Sequence, residues 1–156
     1  MGWITVNSET PGAVKDAIVA SGRVPEPVLA AGQLRQGKAP STMGMVTGAA
    51  LIEVVRPRRS KKLPRHFVLV ATPDEVIAFS ASGGTPEGHG PYELRIGEQE
   101  KARFPRSAVL LTGLEEGEKS KGGTLTVDGE SFPVCRPNLT GEANTDELLA
   151  VLAGGG

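Results

Sequence analysis

The densest grouping of chemically capable side chains is R-P-R-R-S-K-K-L-P-R, residues 56–65. Arg56, Arg58, Arg59, Lys61, Lys62 and Arg65 crowd into this run. Clustered guanidinium and ammonium groups offer charge-assisted hydrogen bonds to phosphate and carboxylate oxygens. Beside an anionic bilayer each contributes about 1 kcal/mol. These six residues are therefore the candidate anion- or lipid-contact set. The same run also reads as a solvated connector that serves solubility alone, which is the commoner role of such a segment. Nucleic acid is the least supported partner, because stacking platforms need aromatic side chains and the run contains none.

The remaining candidates are weaker. Gly32-Gln33-Leu34-Arg35-Gln36-Gly37-Lys38-Ala39 approaches the phosphate-cradling pattern G-x-x-x-x-G-K-[ST] but ends in Ala39, which lacks the magnesium-binding hydroxyl. Pro40 then obstructs the helix that should follow. The glycine-rich stretch Gly83 to Pro91 opens no helix and reads as a hairpin connection. His66 and His89 are the only histidines, and with the single Cys135 and dispersed carboxylates they show no metal-ligand spacing. No serine lies in a G-x-S-x-G context. Cys135 reads as a small core residue, although Arg136 beside it would favour the thiolate if the two meet in space. Asn138-Leu139-Thr140 matches a glycosylation sequon, discounted because no secretion signal accompanies it. Trp3 could anchor the N-terminal segment onto the core or onto a partner. No catalytic, metal-binding or cofactor-binding residue emerges, and the expectation is a protein that is not an enzyme and carries no cofactor.

The elements that would have to position the basic run belong to one domain's length, 156 residues with net charge −1. One cysteine permits no internal disulfide, and the N-terminus lacks a basic region followed by an apolar run, so a cytoplasmic setting is expected. The longest apolar run, Met43 to Val55, spans 13 residues and includes Glu53, against about 20 for a membrane-spanning helix. With 21 glycines and 12 prolines, many short elements separated by turns are expected, hence a β-rich fold.

Leu63 to Ser82 is the central stretch. It holds two short runs rich in β-branched and aromatic residues, the first read as a strand over Arg65–Thr72, joined by T-P-D-E, a turn with Pro73 and Asp74 at its corners. Phe67, Leu69 and Ala71 should face one side and Val68 and Val70 the other, with both sides covered. Before this, a short extended piece is expected at Ile4–Val6. A helix should follow, with Thr10 as N-cap, Pro11 at its first position and Gly22 as left-handed C-cap. Val28–Arg35 reads as a strand and Met45–Val55 as a buried or half-buried helix. After the central hairpin, strand-like pieces are expected at Tyr92–Ile96 and, as a kinked pair, within Glu100–Leu111. Asp128-Gly129 predicts a two-residue type I′ hairpin with Leu125 facing Phe132. Pro133 places the second strand of that hairpin at an edge. Asn144 and Glu147 have capping-box spacing for a closing helix with a Leu148, Val151, Leu152 stripe.

Three segments together resemble the pleckstrin-homology-like superfold, including its GRAM and small bacterial members. L-P-R-H-F-V-L-V-A-T-P-D-E-V-I-A-F is similar to a strand–turn–strand of that group. R-F-P-R-S-A-V is similar to its later basic–apolar–Pro–basic–Ser strand, and N-T-D-E-L-L-A-V-L to the helix that plugs the barrel. The resemblance covers roughly Val28 to Ala153. It implies an α+β fold: a PH-like bent antiparallel β-sheet or split barrel capped by a C-terminal α-helix, with one or two N-terminal helices. Residues 1–27 would form a helical arm and 28–156 the domain, with a helical and basic insertion at about 44–64. The implied role is a non-enzymatic binding or scaffold module for a protein partner, itself unidentified. The alternatives are an anionic membrane surface reached through 56–65, and a small enzyme or ligand-binding barrel. Exposed sheet edges would also allow a homodimer.

Overall fold

The computed structural model describes residues 3–7, 10, 12–24, 27–37, 63–83, 93–116, 121–135 and 142–154. In chain order the elements are β1 (Ile4–Asn7), α1 (Ala13–Ser21), β2 (Ala30–Gln36), β3 (His66–Ala71), β4 (Glu75–Gly83) and β5 (Glu93–Pro105). A 3-10 turn (Arg106–Ala108) leads into β6 (Val109–Glu116), β7 (Lys121–Val127), β8 (Glu130–Cys135) and α2 (Glu142–Ala153). The strands form one α+β sheet in the order β1-β5-β4-β3-β2-β8-β7-β6, antiparallel throughout.

The alternation along β3 sets the layers. Phe67, Leu69 and Ala71 join a core with Leu111, Leu125 and Phe132 from the far half of the sheet and Leu148, Leu149 and Leu152 from α2. Val68 and Val70 join a second core on the other face, with Val14 and Ile18 of α1, Val6 of β1 and Leu94 and Ile96 of β5. Both faces of β3 are covered, as its apolar alternation requires. Register shifts in β4–β5 around Phe79 and in β6–β7 after Thr112 are irregularities of the kind that bend strands.

Local chemistry explains the turns. Thr72 N–H donates to Glu75 O at 2.8 Å and Glu75 N–H donates to Thr72 Oγ1 at 3.0 Å, closing the β3–β4 turn over Pro73 and Asp74. Asp128 and Gly129 both take positive φ, 52° and 85°, and pair Val127 with Glu130 and Leu125 with Phe132. That is the type I′ register. Gly32 lies inside β2, where an added Cβ would come 2.7 Å from Thr145 Cα of α2. Its glycine serves helix–sheet approach, not a phosphate loop.

Four expectations need correction. α1 begins at Ala13 behind Gly12, which adopts φ 75° as N-cap and supplies no side-chain hydrogen bond. Thr10 therefore does not cap it, whereas Gly22 ends it at φ 70° as expected. Asn144 lies inside α2, which starts at Glu142, so it does not cap that helix. Instead its Oδ1 accepts from Val14 N–H at 3.1 Å and its Nδ2 donates to Thr10 O at 3.1 Å. The cap that α1 lacks locally comes from α2. Tyr92–Ile96 and the first of the pieces after Glu100 are parts of one strand, β5, and the break falls at Arg106–Ala108.

Finally, β8 is interior, between β2 and β7. Gly37 N–H donates to Pro133 O at 2.9 Å, so the proline nitrogen also points toward β2, just beyond its last strand residue. The missing N–H is lost where that ladder ends, which is how an interior strand tolerates it. The expected helix at Met45–Val55 lies outside the described residues.

Candidate functional site

The basic run re-enters the sheet at Leu63, and the sheet is built to receive it. Leu63 is buried in the core that contains α2. Gln36, the last residue of β2 and 3% exposed, holds the chain on either side. Its Nε2 donates to Leu63 O at 2.9 Å and to Pro64 O at 3.1 Å, and its N–H donates to Arg65 O at 2.9 Å. A buried amide must find partners, and here the partners are the carbonyls that lead into β3. The exit of the basic segment is thereby fixed on the end of β2.

Register adds more positive charge there. Arg35 of β2 pairs with His66 of β3 on one side and with Cys135 of β8 on the other. Directly opposed residues in antiparallel strands lie within side-chain reach. Arg35 Nη2 donates to Cys135 Sγ at 3.3 Å, and Arg35 Nε is buried without an acceptor. Arg65 is exposed and His66 half-buried. Burial first, then the neighbouring guanidinium groups of Arg35 and Arg65, hold the His66 imidazole below its usual pKa of 6.5. The corner therefore carries two permanent cations and a histidine that stays neutral at pH 7. Chemically it can give charge-assisted hydrogen bonds to an anion. Once an anion offsets Arg35 and Arg65, it can also take up a proton at His66.

Of the sequence-derived candidates, Arg65 belongs to this corner. Arg56, Arg58, Arg59, Lys61 and Lys62 lie outside the described residues. Cys135 is fully buried and its polar neighbour is Arg35, while Arg136 lies outside the described residues. His66 is the first residue of β3 and His89 lies outside the described residues. Trp3 is 56% exposed, beside the outer strand β1. Arg35 and Gln36 were missed by motif reading. The signal that finds them is register: once Leu34 is set opposite Phe67, Arg35 must stand beside His66.

Between β4 and β5 the charges answer one another. Arg103 bridges β4 and β5, with Nη1 2.9 Å from Glu75 Oε1, and Nη2 and Nε at 2.7 Å and 3.1 Å from the Glu100 carboxylate. Those bonds hold the Glu100 carboxyl below its usual pKa. The trio is exposed, and such contacts contribute about 0.2–1 kcal/mol. Among the described residues no group of three or more His, Cys, Asp and Glu is placed to hold a metal ion. No described helix is long and apolar enough to cross a membrane. Comparison with protein-family models, curated proteins and solved structures gives no match to this chain.

Proposed function

We propose that this chain is a PH-like, non-catalytic binding module that docks on an anionic phospholipid surface through the corner formed by Arg35, Arg65 and His66 and the basic run that enters it. The observation that carries the reading is electrostatic: Gln36 pins the last residues of the basic run, Leu63 to Arg65, on the end of β2, next to the one further guanidinium of Arg35. The PH-like part rests on a run of antiparallel strands followed by one C-terminal helix whose Leu148, Leu149 and Leu152 fill the inner face. β1 and α1 are additions to that plan: β1 extends the sheet beyond β5 and α1 lies on the outer face.

Co-sedimentation with vesicles of phosphatidylcholine containing phosphatidylserine tests it. The native chain should pellet with these vesicles, release as salt rises, and ignore pure phosphatidylcholine. Changing Arg58, Arg59, Lys61 and Lys62 to Glu should abolish pelleting. Each removed cation costs about 1 kcal/mol, roughly fivefold in affinity. Failure of the native chain to pellet, or equal pelleting of the variant, overturns the proposal.

A second reading, a protein partner or a second copy joined by strand addition, is favoured by the outer strands. Trp3 beside β1 and Leu110 on β6 are exposed large apolar residues at the two ends of the sheet. Light scattering at rising concentration tests the self-associated form. A strictly monomeric chain whose mass is unchanged by Leu110→Glu removes the self-association.

A further inference from the structure

Arg106 opens the 3-10 turn between β5 and β6. Pro105 and Ser107 on either side are exposed, yet Arg106 itself is 7% exposed. Its N–H donates to Asp74 O of the β3–β4 turn at 2.8 Å. Its Nη2 donates at 2.8 Å to Val151 O, in the last turn of α2. Its Nε and Nη1 are closed to solvent and meet no acceptor.

A guanidinium stays protonated wherever the protein folds, and a buried cation without a counter-charge is strongly unfavourable. The C-terminal end of α2 supplies only a partial negative charge and satisfies one donor of the fork. Arg103, three residues earlier in the same R-F-P-R motif, shows the usual solution: two carboxylates answer it. Arg106 has the charge and two idle donors but no such partner.

We propose that Arg106 is the floor of an oxyanion site, taking a carboxylate or phosphate group, with the last turn of α2 as its cover. The cover is the short piece from Val151 through the exposed Ala153 and Gly154. Its hold on the guanidinium is the Val151 carbonyl on Nη2, and an incoming oxyanion replaces that acceptor while also engaging Nε, which lies on the same edge of the fork. Fully buried Leu152 resists the shift, so the site is closed without ligand and binding is coupled to movement of the turn. The site shares no residue with the Arg35–Arg65 corner and does not depend on the reading given to it.

The test uses the whole chain with inorganic phosphate and with acetate, each against sodium chloride of matched ionic strength. Expected is a saturable rise in Tm with one of the two anions, which also identifies the group preferred. Arg106→Met should lose the rise and, without anion, should melt no lower than the native chain, because an apolar side chain of similar size replaces an unpaired buried charge. On the native chain the Arg106 Nε–H resonance should move during the same titration, and the backbone amides of Val151–Gly154 should exchange faster in the anion-bound state. No rise with either anion overturns the proposal, as does an equal rise in Arg106→Met or an unmoved Arg106 resonance. A lower Tm for Arg106→Met without anion also overturns it, since it would make the arginine a purely structural cap.

Discussion

One buried polar side chain acts at a distance that local spacing does not reveal. Asn144, 4% exposed, closes the first turn of α1 from within α2 and holds Thr10 as well. Removing a side-chain cap costs about 0.5–2 kcal/mol, and leaving buried groups unsatisfied adds to it. Asn144→Ala should therefore lower stability by about 2 kcal/mol in urea denaturation. A change within about 0.5 kcal/mol, the usual range at inert surface positions, would mean the two bonds contribute nothing net. His66 gives a pH prediction of definite sign. Its folded pKa is depressed, so below 6.5 the unfolded chain holds more protons at this site than the folded one. Its contribution is complete above pH 6.5 and is lost as pH falls toward the folded pKa. His66→Gln should show a smaller loss of stability than the native chain between pH 7 and pH 5. Parallel curves would contradict the assignment.

At the scale of elements, α1 and α2 sit on opposite faces of the sheet and are tied through Asn144. Hydrogen exchange of Asn144→Ala should show faster exchange at the Val14 amide while the β3–β4 amides keep their protection. Gly32, with no Cβ, lets α2 come close to β2. Gly32→Ala would force Thr145 outward, and overpacking of this kind costs about 1–3 kcal/mol, readable as a lower Tm. The central hairpin, the type I′ turn and the α2 stripe were all legible in sequence because their causes are local: strand alternation, positive φ at Asp128 and Gly129, and i, i+4 spacing of leucines. The N-terminus of α1 was not, because Thr10-Pro11 has the residue types of a cap while the donor geometry is satisfied from 130 residues away. Nor was the interior position of β8. Pro133 carries an edge signal that is true of its own nitrogen but not of the strand.

For the whole molecule, the decisive feature is that residues before Val28 are not peripheral to the core. β1 lengthens the sheet beyond β5 and α1 covers Val68, Val70, Ile77 and Phe79. A chain starting at Val28 should expose that apolar face, bind a hydrophobic dye and self-associate. A monomeric, cooperatively melting truncation would contradict the second core. The α+β class was readable from the order of strand-like runs and the closing apolar stripe together with the resemblance they carry, and the closing helix from its Leu148, Val151, Leu152 spacing, not from its cap. The basic corner was only half readable, because the run at 56–65 is visible in sequence while Arg35, His66 and the Gln36 clamp converge through strand register.

The most direct measurement of the central claim is amide and side-chain chemical-shift mapping of the native chain during titration with anionic phospholipid nanodiscs. Docking through the corner should give shifts confined to Arg35–Gly37, Leu63–His66 and the basic run, with the His66 imidazole moving toward its protonated form at pH 6.5 as anionic headgroups offset Arg35 and Arg65. Shifts centred on β1 or β6, or none at all beside anionic lipid, would contradict it.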